Sequence, residues 1–117
     1  MSNLLANLTI NNDPDPNNQL PVTDSGTILT ASLVDTARVG NAQSTVTAVT
    51  ITNNTTSINY YAFLEYTYLT SVVFESVSQV TSIGYAAFEG CSSLASVVIP
   101  DSVTSIESSA FYGCSSL

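Results

Sequence analysis

The sequence predicts an α/β repeat solenoid in which parallel strands alternate with short helical turns, preceded by an N-terminal β extension. Three observations support this fold class. One block of sequence recurs at a fixed spacing, an Ala-Phe pair stands at the same place in each copy, and a short β-branched segment separates neighbouring copies. A single strand and turn cannot bury their apolar sides alone, so successive units are expected to stack into one core.

The repeated block is clearest in the C-terminal half. Residues 80–94 recur as residues 103–117, which is a spacing of 23. A third copy at residues 56–69 keeps the Ile, Ala-Phe and Leu positions, but it has Glu65 in place of a glycine and Tyr66 in place of a cysteine. Short helical turns are therefore predicted at Tyr61–Phe63, Ala86–Phe88 and Ser109–Phe111. We expect the side chains of Ile83, Phe88, Leu94, Val97, Ile99, Ile106, Phe111 and Leu117 to point inward.

A glycine follows two of these turns. Gly90 and Gly113 are predicted to end them with a positive φ, a conformation that glycine adopts without steric cost. Glu65 breaks this rule, so the first full repeat is expected to have a looser corner.

The segments between the blocks are short and β-branched, which favours strands. Parallel strands are predicted near Thr47–Ile51, Ser71–Phe74 and Ser96–Ile99, with a fainter strand ending near Ile28. The last apolar residues of these segments, at positions 28, 51, 74 and 99, are spaced 23, 23 and 25 apart. The longer interval indicates a two-residue insertion in the turn from Glu75 to Gln79.

The pattern Ile-x3-Ala-Phe-x-Gly-Cys-x2-Leu-x2-Val-x-Ile-Pro-x-Ser-Val resembles the BspA-type leucine-rich repeat. The resemblance covers residues 46–117 and is closest from residue 80 onward; residues 1–45 do not match. It implies a binding or structural surface rather than a reaction. Because similar proteins include surface and adhesion proteins, it also implies an extracellular or cell-surface location.

The N-terminal quarter differs in composition. We expect three segments: an N-terminal strand at residues 1–10, a Pro/Asn-rich linker at residues 11–26, and the leucine-rich-repeat solenoid at residues 27–117, with a degenerate first repeat.

Charge and composition exclude several functions. The chain has nine acidic residues, one arginine, no lysine and no histidine, and its formal net charge is −8. Without a basic patch, nucleic acid is not expected as a partner, and no apolar run is long enough for membrane insertion. Without a histidine or lysine base, the sequence predicts no catalytic residues, no cofactor and no enzyme. A Ser/Thr/Asn-rich composition is typical of a surface protein.

Cys91 and Cys114 occupy the same position in neighbouring repeats. Strand spacing would bring their Cα atoms within about 5 Å, in disulfide range. Equivalent side chains in stacked repeats point the same way, however, which favours buried free thiols. A disulfide stays open as the alternative.

Two groups of residues carry candidate modifications or ligands. Oxygen ligands at positions 1, 3, 5 and 12 of a calcium loop would be Asp13, Asp15, Asn17 and Asp24. Prolines between them favour a solvated linker instead. Sequons for N-glycosylation begin at Asn7, Asn53 and Asn54. An adhesive patch could be formed by Tyr60, Tyr61, Tyr66 and Tyr68, although packing explains most of them.

The two ends of the sequence match each other. Leu117 closes a block without the strand that should follow, and Leu5–Ile10 aligns with residues 94–99. This predicts head-to-tail self-association, in which the N-terminal strand of one molecule adds to the edge of the next and a fibre forms. The expected interface consists of Leu5, Leu8, Ile10, Val97, Ile99 and Leu117. The alternatives are an adhesin that binds glycans or a host or matrix protein, and a fragment of a longer repeat protein.

Overall fold

The computed structural model describes residues 8–10, 27–32, 34, 43–53 and 55–117. Its strands are, in chain order, β1 (Leu8–Ile10), β2 (Thr27–Leu29), β3 (Ala48–Ile51), β4 (Thr55–Ile58), β5 (Ser71–Phe74), β6 (Ser82–Ile83), β7 (Ser96–Val97) and β8 (Ser105–Ile106). They form two sheets. The first sheet has the order β1-β3-β5-β7, and the second has the order β2-β4-β6-β8.

The strands of the repeats pair in parallel, as predicted. In the first sheet, Val49 lies beside Val72, and Val72 lies beside Val97. The strands predicted near Thr47–Ile51 and Ser71–Phe74 are confirmed. The third is shorter than predicted, because its ladder with β5 ends at Val97.

A second strand in each repeat was not predicted. Ile58, Ile83 and Ile106 lie side by side in parallel register in the second sheet. Two of its strands have only two residues each, too short to show an alternating pattern. The assignment of Ile28 to the first sheet is wrong, because β2 pairs with β4 and places Leu29 beside Ile58.

The predicted helical turns are hydrogen-bonded turns without helix. Tyr61, Ala86 and Ser109 begin them with φ of 58°, 54° and 61°, which interrupts a right-handed helix. The N–H groups then alternate: that of Phe63 donates to Ala87 of the next repeat, 2.7 Å away, whereas that of Leu64 donates to Tyr61 within its own repeat. In the described residues, helix is limited to Ala31, Ser32, Val34 and one 3₁₀ turn at Gln43–Thr45.

Gly90 and Gly113 have φ of 80° and 79°, as predicted. The looser corner expected at Glu65 is not found. Glu65 adopts φ of 60° and its N–H donates to Glu89 at 2.7 Å, just as the N–H of Gly90 donates to Tyr112 at 2.8 Å. The ladder between repeats therefore imposes the left-handed corner on a residue that does not favour it.

Both sheets and the turns contribute to one core. Ile83, Phe88 and Leu94 are buried, as predicted, and Val97, Ile99 and Phe111 pack against the core while partly exposed. Ile106 and Leu117 do not point into a closed core, because they belong to the last stacked layer and are 48% and 53% exposed.

Serine and threonine hydroxyls join successive repeats. The hydroxyl of Thr70 donates to the Thr47 carbonyl at 2.9 Å, and that of Ser102 donates to the Val80 carbonyl at 2.7 Å. Thr104 makes a similar bond to Thr81 at 3.2 Å. Part of the unusual Ser/Thr content therefore serves the stacking of repeats as well as the surface.

Candidate ligand-binding groove

The surface of the first sheet carries an apolar groove with a volume of about 540 Å³. It is lined by residues 71–78, 96–98 and 100–102. Val73, Val77 and Val98 are 51%, 83% and 81% exposed. Binding pockets for small ligands and cofactors are commonly about 300–1,000 Å³ in volume, so this groove is large enough to hold one.

The groove lies where the ladder between β5 and β7 ends. The β3–β5 ladder has four residue pairs, but the β5–β7 ladder stops after Val72 and Val97. At the end of β5, the N–H of Glu75 donates to the Ile51 carbonyl at 2.9 Å. Pro100 stands at the equivalent position after β7 and has no N–H to donate. The sheet therefore cannot continue in the same way, and the two strand ends border the groove.

The inserted turn forms one wall. The connection from β5 to Val80 is two residues longer than that from Ile99 to Val103, six positions against four. Three bonds to Asn53 of the preceding repeat hold this wall. The Asn53 N–H donates to a Glu75 carboxylate oxygen at 3.1 Å, its side-chain amide donates to the Ser76 carbonyl at 3.3 Å, and Gln79 donates to its carbonyl at 2.7 Å. Val77 thus projects from an anchored turn.

The charge at the groove has one sign. Glu75 and Asp101 line it, and its lining contains no basic residue. The sequence suggested carboxylates scattered over different turns, but stacking brings these two to the same groove. The sequence reasoning missed the groove itself. Its signals were the two-residue insertion, Pro100, and a valine at the same outward register in two neighbouring strands.

The cysteines are buried and free. The thiol of Cys91 donates to the Phe63 carbonyl at 3.2 Å, and that of Cys114 to the Phe88 carbonyl at 3.1 Å. Burial raises the pKa of Cys91 to about 12; nearby Cys114 adds to this effect, and a main-chain bond from Tyr66 opposes it. Burial also raises the pKa of Cys114. The expectation of free packing thiols is confirmed, and a raised pKa disfavours the nucleophilic thiolate.

The tyrosine patch differs from the one predicted. Tyr61 contacts Tyr60 and Tyr85 edge to face, with ring centroids 5.6 and 5.7 Å apart, and all three are exposed. Tyr68 is exposed too, but Tyr66 is buried and packs against Phe63 at 5.5 Å. Tyr66 fills the position that cysteine occupies in later repeats, and this position faces the core.

Most of the other predicted sites lie outside the described residues. These are Leu5, Asn7, Asn54 and the calcium candidates Asp13, Asp15, Asn17 and Asp24. Asn53 is described, and its amide nitrogen, the atom that a glycan would occupy, is bonded to Ser76. Among the described residues, no cluster of three or more His, Cys, Asp or Glu side chains could hold a metal.

The N-terminal strand pairs within the chain. β1 is antiparallel to β3, with Leu8 beside Ile51 and Ile10 beside Val49. β7 lies at the opposite edge of this sheet. The structure therefore does not bring Leu8 and Ile10 to Val97 and Ile99 of the same molecule, and strand donation between molecules stays a prediction.

Comparison with known proteins identifies the repeat. No helix among the described residues is both long and apolar enough to cross a membrane. No curated protein and no solved structure matches the chain. The family model described as BspA type leucine rich repeat region (6 copies) matches residues 41–117. The stacked parallel strands, the repeated Ala-Phe turns and this match lead to one conclusion: the chain belongs to the BspA-type leucine-rich repeat family.

Proposed function

We propose that this chain is a non-catalytic binding module of an extracellular or cell-surface protein, with its ligand in the groove beside β5 and β7. The observation that carries the proposal is the exposure of Val73, Val77 and Val98 around one anchored cavity. Exposed apolar side chains gathered in one concave place mark binding sites more often than scattered ones do.

The chemistry of the groove supports binding rather than catalysis. Its titratable residues are carboxylates, and its lining offers no histidine, lysine or cysteine. General acid–base catalysis and nucleophilic catalysis both need a positioned proton acceptor or an activated nucleophile. Leucine-rich repeat proteins of this family are generally non-enzymatic and typically lie at the cell surface or outside it. Adhesion to a glycan or to a host or matrix protein is consistent with such a module.

The extended solenoid and the fibre are finer proposals. A stack of repeats continuing in one direction would give the solenoid that the sequence predicts. Head-to-tail assembly through Leu5–Ile10 has less support, because in this structure β1 is already paired with β3. The Discussion gives the experiment that separates these arrangements.

An uncharged apolar dye tests the proposed site. We expect Nile red fluorescence to rise when the dye binds the chain, and Val98→Ala to weaken its affinity about tenfold. The reason is that two methyl groups lost from the site remove about 1.6 kcal/mol of apolar burial. Tyr112→Ala is the matched control, because Tyr112 is 70% exposed and does not line the groove. A dye that fails to bind, or that binds equally to both variants, would refute the proposal.

A further inference from the structure

Two carboxylates border the groove and no basic side chain balances them. Glu75 lies on the wall formed by the inserted turn, and Asp101 follows Pro100 on the other side. The chain as a whole has a net charge of −8 with a single arginine. A ligand that places a positive charge here gains attraction from both carboxylates and from the wider field of the protein.

The floor between these carboxylates is apolar. Val73 and Val98 project from neighbouring strands, and Val77 projects from the wall. A purely cationic ligand would leave these side chains in water and gain nothing from them. The groove therefore suits a ligand in which apolar and basic groups are close together.

The shape of the groove follows a strand. β5 has four residues, or about 13 Å at 3.3 Å per residue. The main chain of Val73 and Val98 borders the groove beyond the point where the β5–β7 ladder ends. An extended peptide can add main-chain hydrogen bonds at such a place, while its alternate side chains enter pockets or face the rim.

We propose that the groove binds an extended peptide segment of a partner protein in which apolar and basic side chains alternate. The proposal rests on the groove being the binding site of the module and names its ligand class. The apolar side chains of the peptide lie on Val73 and Val98, and its basic side chains lie toward Glu75 and Asp101.

The site is arranged before the ligand arrives. One oxygen of Glu75 already accepts the Asn53 N–H at 3.1 Å, and Gln79 and the Asn53 amide hold the rest of the turn. A wall that is held in place costs less conformational entropy when a ligand binds. These three bonds also predict that the turn keeps its position when Glu75 is changed to glutamine, which retains an acceptor oxygen.

Synthetic peptides supply the test. We use acetylated, amidated peptides: Val-Lys-Val-Lys-Val-Lys, its glutamate analogue, and a block peptide of three valines followed by three lysines. Isothermal titration at 50 mM and 500 mM salt measures each affinity. We expect the alternating lysine peptide to bind at least tenfold more tightly than the glutamate analogue at low salt, and to lose most of this advantage at high salt. The block peptide should bind at least fivefold more weakly than the alternating one.

Variants locate the charge effect. Glu75→Gln and Asp101→Asn should each weaken the lysine peptide about two- to fivefold, the range measured for exposed ion pairs. Glu107→Gln removes the same charge from an exposed residue outside the groove and should change nothing.

The outcomes separate this inference from the proposed function. If Nile red binds but the lysine peptide binds no better than the glutamate peptide, the peptide inference is wrong and the binding site remains. Equal binding of the block peptide also overturns it, because strand geometry then plays no part. If Glu107→Gln weakens binding as much as Glu75→Gln, the attraction is general and the inference fails. If neither Nile red nor any peptide binds, the proposed function itself is refuted.

Discussion

The rings of Phe63 and Phe88 are stacked with 2° between their planes and 5.1 Å between their centroids. Phe111 continues the stack at 5.3 Å from Phe88, again with 2° between the planes. The carbonyls of Phe63 and Phe88 also accept the thiol bonds of Cys91 and Cys114. Each repeat is thus joined to the next through its Ala-Phe turn by ring stacking and by a thiol hydrogen bond.

The central ring of this stack should matter most for stability. Phe88→Ala is expected to lower the free energy of unfolding by about 3–5 kcal/mol, the usual cost of emptying a buried phenylalanine site. Phe111→Ala should cost less, because Phe111 is only partly buried. Urea denaturation followed by circular dichroism measures both. Equal losses would show that Phe111 is as well covered as Phe88.

The buried thiol of Cys91 predicts a loss of stability at alkaline pH. Its pKa is raised from 9.0 to about 12 in the folded chain, so above pH 9 the unfolded chain releases a proton that the folded chain keeps. The contribution is full below pH 9. It falls by up to about 1.4 kcal/mol per pH unit above that, and it is lost as the pH passes 12.

Comparison with Cys91→Ala isolates this effect from the titration of the tyrosines. We expect the stability advantage of Cys91 over alanine to shrink by about 1 kcal/mol between pH 7.5 and pH 10, measured by urea denaturation. An advantage that stays constant over this range would contradict a buried, neutral thiol.

The corner at Glu65 stores local strain. Because a non-glycine residue in the left-handed region costs about 1–2 kcal/mol, Glu65→Gly should stabilise the chain by about 1 kcal/mol. Glu89→Gly is the control, because Glu89 is not among the residues with positive φ; there the change should destabilise by about 0.5–1 kcal/mol. Thermal unfolding of both variants measures the difference. Destabilisation of both would mean that the Glu65 side chain contributes more than its backbone strain costs.

Removal of residues 1–12 distinguishes the two roles of the N-terminal strand. Since β1 covers the edge of β3, we expect its deletion to bare that edge and to increase self-association. Light scattering over a range of concentrations measures this. Polymers formed by the full chain and lost in the deleted one would instead support strand donation between molecules. Ile10→Asp should then also abolish growth.

Much of the stacking was predictable because it depends on residue type at repeated positions. The Ala-Phe pair placed Phe88 in the core, and the glycine after it predicted the positive φ of Gly90. The parallel register followed from the spacing of Ile51 and Phe74. The second sheet was missed because strands of two residues, such as Ser82–Ile83, carry no alternating pattern. The helical turns were wrong because the bonds that decide them run between repeats.

The sequence by itself determined the period, the inward-facing aromatic positions and the kind of repeat, because identical residue types at equal spacing leave few other ways to bury them. Only the tertiary structure decided where a ligand could bind. The groove depends on bonds between residues more than twenty positions apart, such as those from Asn53 to the inserted turn, and on the bond that Glu75 makes to Ile51 but Pro100 cannot make. Such contacts are set by how the repeats stack, and local sequence carries no direct sign of them.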